Sequence, residues 1–204
     1  MPDAQLYVPR FNVMDPDDVR PFVDAVGAAQ LVTVGADGLP DATFLPVLWE
    51  GDRLVGHLAR ANAHWRRVVD GSPALAVVTG PDAYVSPSWY ATKREHGKVV
   101  PTWNYSVVHL RGSVRIHDDA AWVRGLVTRL TDRHEEPRSE PWAVTDAPSD
   151  YLDKNLRPIV GVELVVESVE AKAKLSQNRS EEDRAGVAEG LRADGRDPGD
   201  LVQP

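Results

Sequence analysis

Apolar positions along the chain fall first into a helical period. Val19, Phe22, Val23 and Val26 recur at i, i+3, i+4 and i+7, which sets one buried stripe. Asp15 caps this helix, Pro16 suits its first turn, Asp17 and Asp18 complement the positive end of its dipole, and Gly27 stops it. The pattern then changes to short β-rich runs. Gln30–Val34, Ala42–Trp49 and Arg53–Ala59 are separated by the turns Ala36-Asp37-Gly38 and Glu50-Gly51-Asp52, a three-strand meander. Asn62–Asp70 reads as a short helix ended by Gly71 and Pro73. Ala74–Thr79, Ala83–Trp89 and Val107–His117 add further strands, and Ile159–Val169 is strongly β.

About seven strands at short spacing favour a barrel over a parallel doubly wound sheet. Helices stand at its periphery. Asp118 or Asp119 caps a second long helix carrying Trp122, Val123, Leu126, Val127 and Leu130 at helical spacing. Residues 134–148 are rich in Pro, Glu and Ser and read as an exposed loop, followed by a helical turn over Tyr151–Leu156. Ser180 starts a last helix with Asp183 as its box partner, anchored by Val187 and Leu191. Residues 194–204 read as a frayed tail. The expected organisation is a barrel domain over 1–175 and a C-terminal motif, helix and polar tail over 176–204. The fold class is α+β, mainly β.

Composition narrows the function. Of 204 residues, 42% are hydrophobic and 26% charged, enough apolar surface for a core and too much for disorder of the whole chain. No apolar run approaches the ~18 residues of a membrane span. Residues 1–10 lack the charged-then-apolar pattern of a signal peptide, so a cytoplasmic protein is expected. Without cysteine there is no disulfide, thiolate nucleophile or zinc–thiolate centre. The net charge of −8 argues against non-specific nucleic-acid binding, which needs basic surface to displace counterions. The six histidines show no metal spacing, and no GxSxG, GxGxxG or Walker loop is present.

Three segments concentrate chemistry. In Gly56-His57-Leu58-Ala59-Arg60-Ala61-Asn62-Ala63-His64-Trp65 a strand ends where a helix begins; free backbone N–H groups plus Arg60 suit a phosphate, and a plain cap at Asn62 explains the same residues. Residues 80–90 and 99–105 hold two of the six Trp and three of the five Tyr. Aromatics with a few amides and hydroxyls suit a flat, polar-edged ligand, and equally a core or dimer-interface cluster. The intervening Thr92–Lys98 reads as a solvated, charged hairpin tip. Lys174-Leu175-Ser176-Gln177-Asn178-Arg179 binds a phosphate or an amide edge, or serves as a linker with a cap.

Together these runs resemble the PaiB family, described as FMN-binding negative transcriptional regulators. The resemblance rests on Leu6-Tyr7-Val8-Pro9 with Phe11, the Gly56–Asn62 run with His64-Trp65, and Ala83-Tyr84-Val85-Ser86-Pro87-Ser88-Trp89-Tyr90. It rests also on Val100-Pro101-Thr102-Trp103-Asn104-Tyr105 and Leu175-Ser176-Gln177-Asn178-Arg179. Phe44-Leu45-Pro46-Val47 carries the family's leucine–proline pair; Ala63 replaces its usual proline. The resemblance implies an FMN-binding split β-barrel, related to pyridoxamine 5′-phosphate oxidase and built as a homodimer with flavin between subunits. It implies that Arg60 and Asn62 hold the phosphate with His57 nearby, that Thr102, Trp103 and Asn104 approach the ring, and that Lys174 and Gln177 close the site. It leaves open F420 or haem as the cofactor. Three functions stay in view: a flavin-linked regulator, a flavin-dependent oxidoreductase acting on a small molecule with His57 or Tyr105 as acid–base candidate, and a barrel without flavin serving as an interaction module. Direct DNA contact is implied by the family's description and opposed by the net charge.

Overall fold

A computed structural model describes residues 6–203. Six strands form a closed barrel in the order β1-β2-β3-β6-β5-β4. They are β1 Ala28–Val34, β2 Pro40–Glu50, β3 Arg53–Ala59, β4 Pro73–Val85, β5 Thr102–His117 and β6 Ile159–Lys174. The helices are α1 Pro16–Val26, α2 His64–Arg67, α3 Thr92–His96, α4 Ala120–Glu135, α5 Ser149–Leu156 and α6 Glu181–Ala193. The β1–β2, β2–β3, β1–β4 and β3–β6 pairs are antiparallel. The chain divides into two compact units. A central unit comprises Val23–Val78 and His109–Val169; a terminal unit comprises the stretch up to Phe22, Thr79–Val108 and the chain from Glu170 on.

In the central unit, Ala29, Leu31 and Thr33 of β1 are buried in strict alternation. Leu54, Gly56 and Leu58 of β3 share one face; Val55 on the other packs with Leu126 and Leu130 of α4. β3 is therefore covered on both sides, which explains its near-continuous apolar run. Its neighbour β6 approaches α4 closely: a Cβ on Gly161 would lie 2.0 Å from the Trp122 ring, so only glycine admits that indole. Trp122 in turn stacks on His117, 4.1 Å between centroids.

In the terminal unit, Ala83, Val85, Tyr90, Val187, Leu191 and Leu201 make one core. Helix α6 lies against Trp89, whose ring and carbonyl occupy the space that side chains at Gly190 and Gly186 would need.

Expected caps are present: Asp119 accepts from Trp122 N at 2.7 Å, and Ser180 accepts from Asp183 N. Several expectations are corrected. Among the described residues there are six strands rather than about seven, because β4 runs unbroken through Gly80-Pro81 and joins two expected strands; it stops at Val85, and Pro87–Trp89 is a 3-10 turn instead of the end of a strand. The Phe22 ring lies 2.7 Å from where a Gly80 Cβ would sit, so the glycine marks close packing. β5 starts at Thr102 and β6 ends at Lys174, beyond the expected limits. Asn62–Asp70 reduces to the single turn of α2, and Thr92–His96 is a helical turn closed by Gly97 at φ 67°. The tail is docked: Leu201 is 3% exposed and Gln203 N donates to Leu175 O at 3.0 Å.

Candidate functional site

In the central unit the turn after β3 is built by Arg60 and Asn62. Arg60 donates from Nε to Arg157 O at 2.8 Å, from Nη1 to Asp118 at 2.9 Å, and from Nη2 to Asp118 and to Ile159 O. Its carbonyl accepts from Trp65 Nε1 at 2.9 Å. The bidentate pair raises the Arg60 pKa and holds the Asp118 carboxyl below its usual range. Asn62 Oδ1 accepts from His64 N at 3.0 Å, and its Nδ2 donates to Thr43 Oγ1 at 3.1 Å. His64 is buried between two hydroxyls, Nδ1 2.8 Å from Thr43 Oγ1 and Nε2 2.9 Å from Thr33 Oγ1. Burial pushes its pKa down, with Arg67 adding and Asp41 opposing, so the ring is neutral at pH 7.

His57 does not join Arg60. It points from the face of β3 that carries Val55 into a hollow of about 330 Å³ with Pro46, Leu130, His134 and Trp142. Arg60 lines another of about 570 Å³ with Asp118, Ala121, Arg124 and Leu156. Burial lowers the His57 pKa. Since α2 has one turn, its dipole adds little for an anion; the binding capacity of this turn lies in side chains and loop N–H groups.

In the terminal unit Thr102 Oγ1 accepts from Lys174 Nζ. Trp103 is 50% exposed and stands edge-on to Tyr84, 6.3 Å between centroids and 73° between planes. Asn104 is fully buried; its Nδ2 donates to Ser176 Oγ at 2.9 Å and to Leu201 O at 2.8 Å. Gln177 spends its amide on the adjoining backbone, accepting from Leu175 N at 2.7 Å and donating to Ala173 O. Thr102 and Lys174 are thus joined directly, while Asn104 and Gln177 shape the chain that follows β6. Sequence reading missed three cation-related features here: Lys172, 8% exposed with Nζ 5.1 Å from the Tyr105 ring and 5.7 Å from Tyr7; Arg179, 4.6 Å over Tyr90; and the burial that lowers the Lys174 pKa. It also missed Asp118 as the partner of Arg60. Lys172 sits in a regular strand with no motif to mark it.

Half-exposed aromatics beside hydroxyl and ammonium donors suit a flat ring with a polar edge, whereas the donors of Arg60 and Asn62 are engaged within the chain, Arg60 chiefly with the exposed Asp118. The donor set fits FMN. A family model described as "Putative FMN-binding domain" matches residues 6–168. The chain belongs to this family, the PaiB family that its motifs resemble, and its cofactor is FMN. It is 34% identical over 191 residues to "Protease synthase and sporulation protein PAI 2" of Bacillus subtilis, covering 91% of this chain and 89% of that protein. It is 30% identical over 175 residues to the uncharacterized protein AN0679 of Emericella nidulans, covering 73% and 70%. Among solved structures, the FAD and heme binding protein from Mycobacterium smegmatis superposes with TM-score 0.61 at 22% identity, covering 86% of this chain and 80% of that one. Rv2991 from Mycobacterium tuberculosis gives 0.61 at 14%, covering 86% and 94%. These likenesses show the fold, the split barrel that the sequence implies.

Proposed function

We propose that this protein is a flavin-linked negative regulator of gene expression that binds FMN as a homodimer. The likeness to PAI 2 across nearly the whole of both chains supports the regulatory half. The observation that carries the FMN site is Trp103, an indole left half exposed and edge-on to Tyr84 while its strand neighbour Thr102 is bonded to Lys174. FMN supplies the redox chemistry when bound. Arg60 and Asn62 of one protomer receive the phosphate; His57, which lines a different hollow, takes no part. Thr102, Trp103 and Lys174 of the second protomer meet the ring, while the buried Asn104 and the backbone-bonded Gln177 hold the chain behind them. Exposed Tyr7, Phe11, Val13 and Val100 of the terminal unit support such a dimer, since a monomer rarely leaves so much aromatic and branched surface in water. The Arg60–Asp118 pair is exposed on both sides, so exchanging its carboxylate for a phosphate costs little.

Charge favours a second reading, a flavin-dependent oxidoreductase whose effect on transcription is indirect. The chain carries −8, and the first turn of α6 exposes Glu181 and Glu182. Such a surface repels DNA.

The test is a spectral and calorimetric titration with FMN, followed by NAD(P)H oxidation and by retention of promoter DNA with and without flavin. Micromolar or tighter FMN binding is expected, with Arg60→Ala weakening it by about tenfold or more. Flavin-dependent DNA retention without turnover supports the regulator; turnover without retention supports the oxidoreductase. Unchanged FMN affinity in Arg60→Ala removes the phosphate assignment, and a sedimentation mass of one chain removes the dimer.

A further inference from the structure

The inward face of α4 is apolar where it covers the barrel: Val123, Leu126 and Leu130 are buried, the last two against Val55 of β3. At its C-terminal end this face changes character. Val127, Leu130, Thr131 and His134 stand at i, i+3, i+4 and i+7, so a hydroxyl and an imidazole continue the apolar stripe. All four line the hollow of about 330 Å³, whose walls lie wholly within the central unit. His57 enters it from β3 and Pro46 from β2, just past Val47 and Gly56, where the pairing of these two strands stops. The half-exposed Trp142 lines it from the loop after α4. That loop is pinned: Glu135 accepts from Trp142 N at 3.0 Å and pairs with Arg138 at 3.1 Å.

His64 engages both of its ring nitrogens with threonine hydroxyls. His57 engages neither. Burial alone moves its pKa, downward, so at pH 7 the ring is neutral and offers one donor and one acceptor. Thr131 Oγ1 and the His134 ring are also without a hydrogen-bond partner among the described residues. Free hydrogen-bonding groups converging between apolar walls serve a small ligand, and a volume of about 330 Å³ is the size for one substituted ring. Among the described residues no lysine or arginine lines the hollow, so nothing there compensates the desolvation of an anion. Its one carboxylate, Glu135, is already held by Arg138 and Trp142 N, which leaves little for a cation. We propose that this hollow binds a small uncharged aromatic molecule carrying a hydroxyl or carbonyl group, its ring against Trp142 and Pro46 and its polar edge toward His57 and Thr131. The site stands on the hollow alone; its role rests on the flavin reading, in which this molecule is the effector of the regulator or the substrate of the oxidoreductase.

The probe is 4-hydroxybenzamide, uncharged at pH 7, titrated calorimetrically into the full-length protein, FMN-loaded and flavin-free, with the anion 4-hydroxybenzoate in a parallel titration. Saturable binding of the amide to the loaded protein is expected, with the benzoate weaker by about tenfold or more. His57→Phe and Trp142→Ala are each expected to weaken amide binding by about tenfold while FMN uptake stays at the wild-type level. His57→Gln, which keeps a donor and an acceptor, is expected to retain most of it. Trp142 is half exposed, so Trp142→Ala is expected to melt with the wild type and keeps the comparison free of folding effects. A loaded protein that ignores the amide overturns the proposal, as does wild-type affinity in His57→Phe or Trp142→Ala, or a benzoate that binds as tightly as the amide. Amide that binds only the flavin-free chain and competes with FMN, with FMN affinity falling in the same variants, assigns the hollow to the flavin ring; this overturns the separate site and leaves the flavin reading standing. A chain that takes up no FMN yet binds the amide with this variant pattern overturns the flavin reading and supports the site.

Discussion

His64 has its two ring nitrogens between two threonine hydroxyls, and Asn62 ties one of these hydroxyls to the backbone that follows. The ring must be neutral to serve as donor on one side and acceptor on the other. Its folded pKa lies below the ordinary value of 6.5, as does that of His57, both through burial. The unfolded chain therefore binds more protons as pH drops, so this stability is complete above about 6.5 and is lost as pH falls through 6.5 toward the folded value. Urea unfolding between pH 8 and 5 is expected to show declining stability. His64→Gln, which keeps hydrogen bonding without titrating, is expected to flatten that slope; an unaltered slope refutes the account. Local chemistry of this kind was legible in the sequence: Asp119 and Ser180 act as caps where their positions indicated, while Asn62 closes a local turn onto His64 N and Ala63 holds the cap position of α2. Long-range partners were not. Asp118 and Thr43 meet Arg60 and Asn62 across 58 and 19 residues, and nothing in the neighbouring sequence encodes those meetings.

At the scale of elements, hydrophobic period identified α1, α4, α6 and the β1–β2–β3 meander, but strand ends were misplaced, short at the start of β5 and the end of β6 and long at β4, which stops at Val85. Gly80-Pro81 fell between two expected strands that β4 joins, and β5 begins at Thr102, directly after Pro101, instead of at Val107. Glycine has two uses that sequence cannot separate: a backbone turn and a side chain's absence. Helix glycines make the difference measurable. At Gly190 a Cβ would meet the Trp89 ring at 2.2 Å, and at Gly125 only Nη1 at the far end of the Arg129 side chain, at 3.3 Å. Gly125→Ala is expected to stabilise by about 0.5–1 kcal/mol, the intrinsic helix preference. Gly190→Ala is expected to destabilise by roughly 1–3 kcal/mol through overpacking. Denaturant midpoints of the two variants moving in the same direction would refute the assignment of Gly190 to the Trp89 contact.

For the whole molecule, long motifs were enough to identify the family, because runs such as Ser86–Tyr90 and Pro101–Tyr105 combine rare residues in fixed order. The opposite holds for the polar C-terminal tail, where composition suggested fraying. One apolar residue reverses that outcome. Leu201 enters the core of Tyr90, Val187 and Leu191, its carbonyl accepts from the buried Asn104, and Gln203 N bonds Leu175 O. A family-motif residue, Asn104, thus depends on the end of the chain for one acceptor. Deleting residues 197–204 removes that acceptor and opens the Leu201 pocket together. Truncating a buried leucine alone costs about 2–5 kcal/mol, and an unpaired buried amide adds about 1–3 kcal/mol. The shortened chain is therefore expected to lose several kcal/mol by urea unfolding. Leu201→Ala is expected to lose less, since it keeps the carbonyl for Asn104. FMN affinity measured on the Leu201→Ala protein then separates two roles of Asn104. Affinity equal to wild type means the amide is positioned well enough without the Leu201 side chain in its pocket. A loss of affinity in a chain that still folds means the docked tail is what orders the Thr102–Asn104 edge for the flavin.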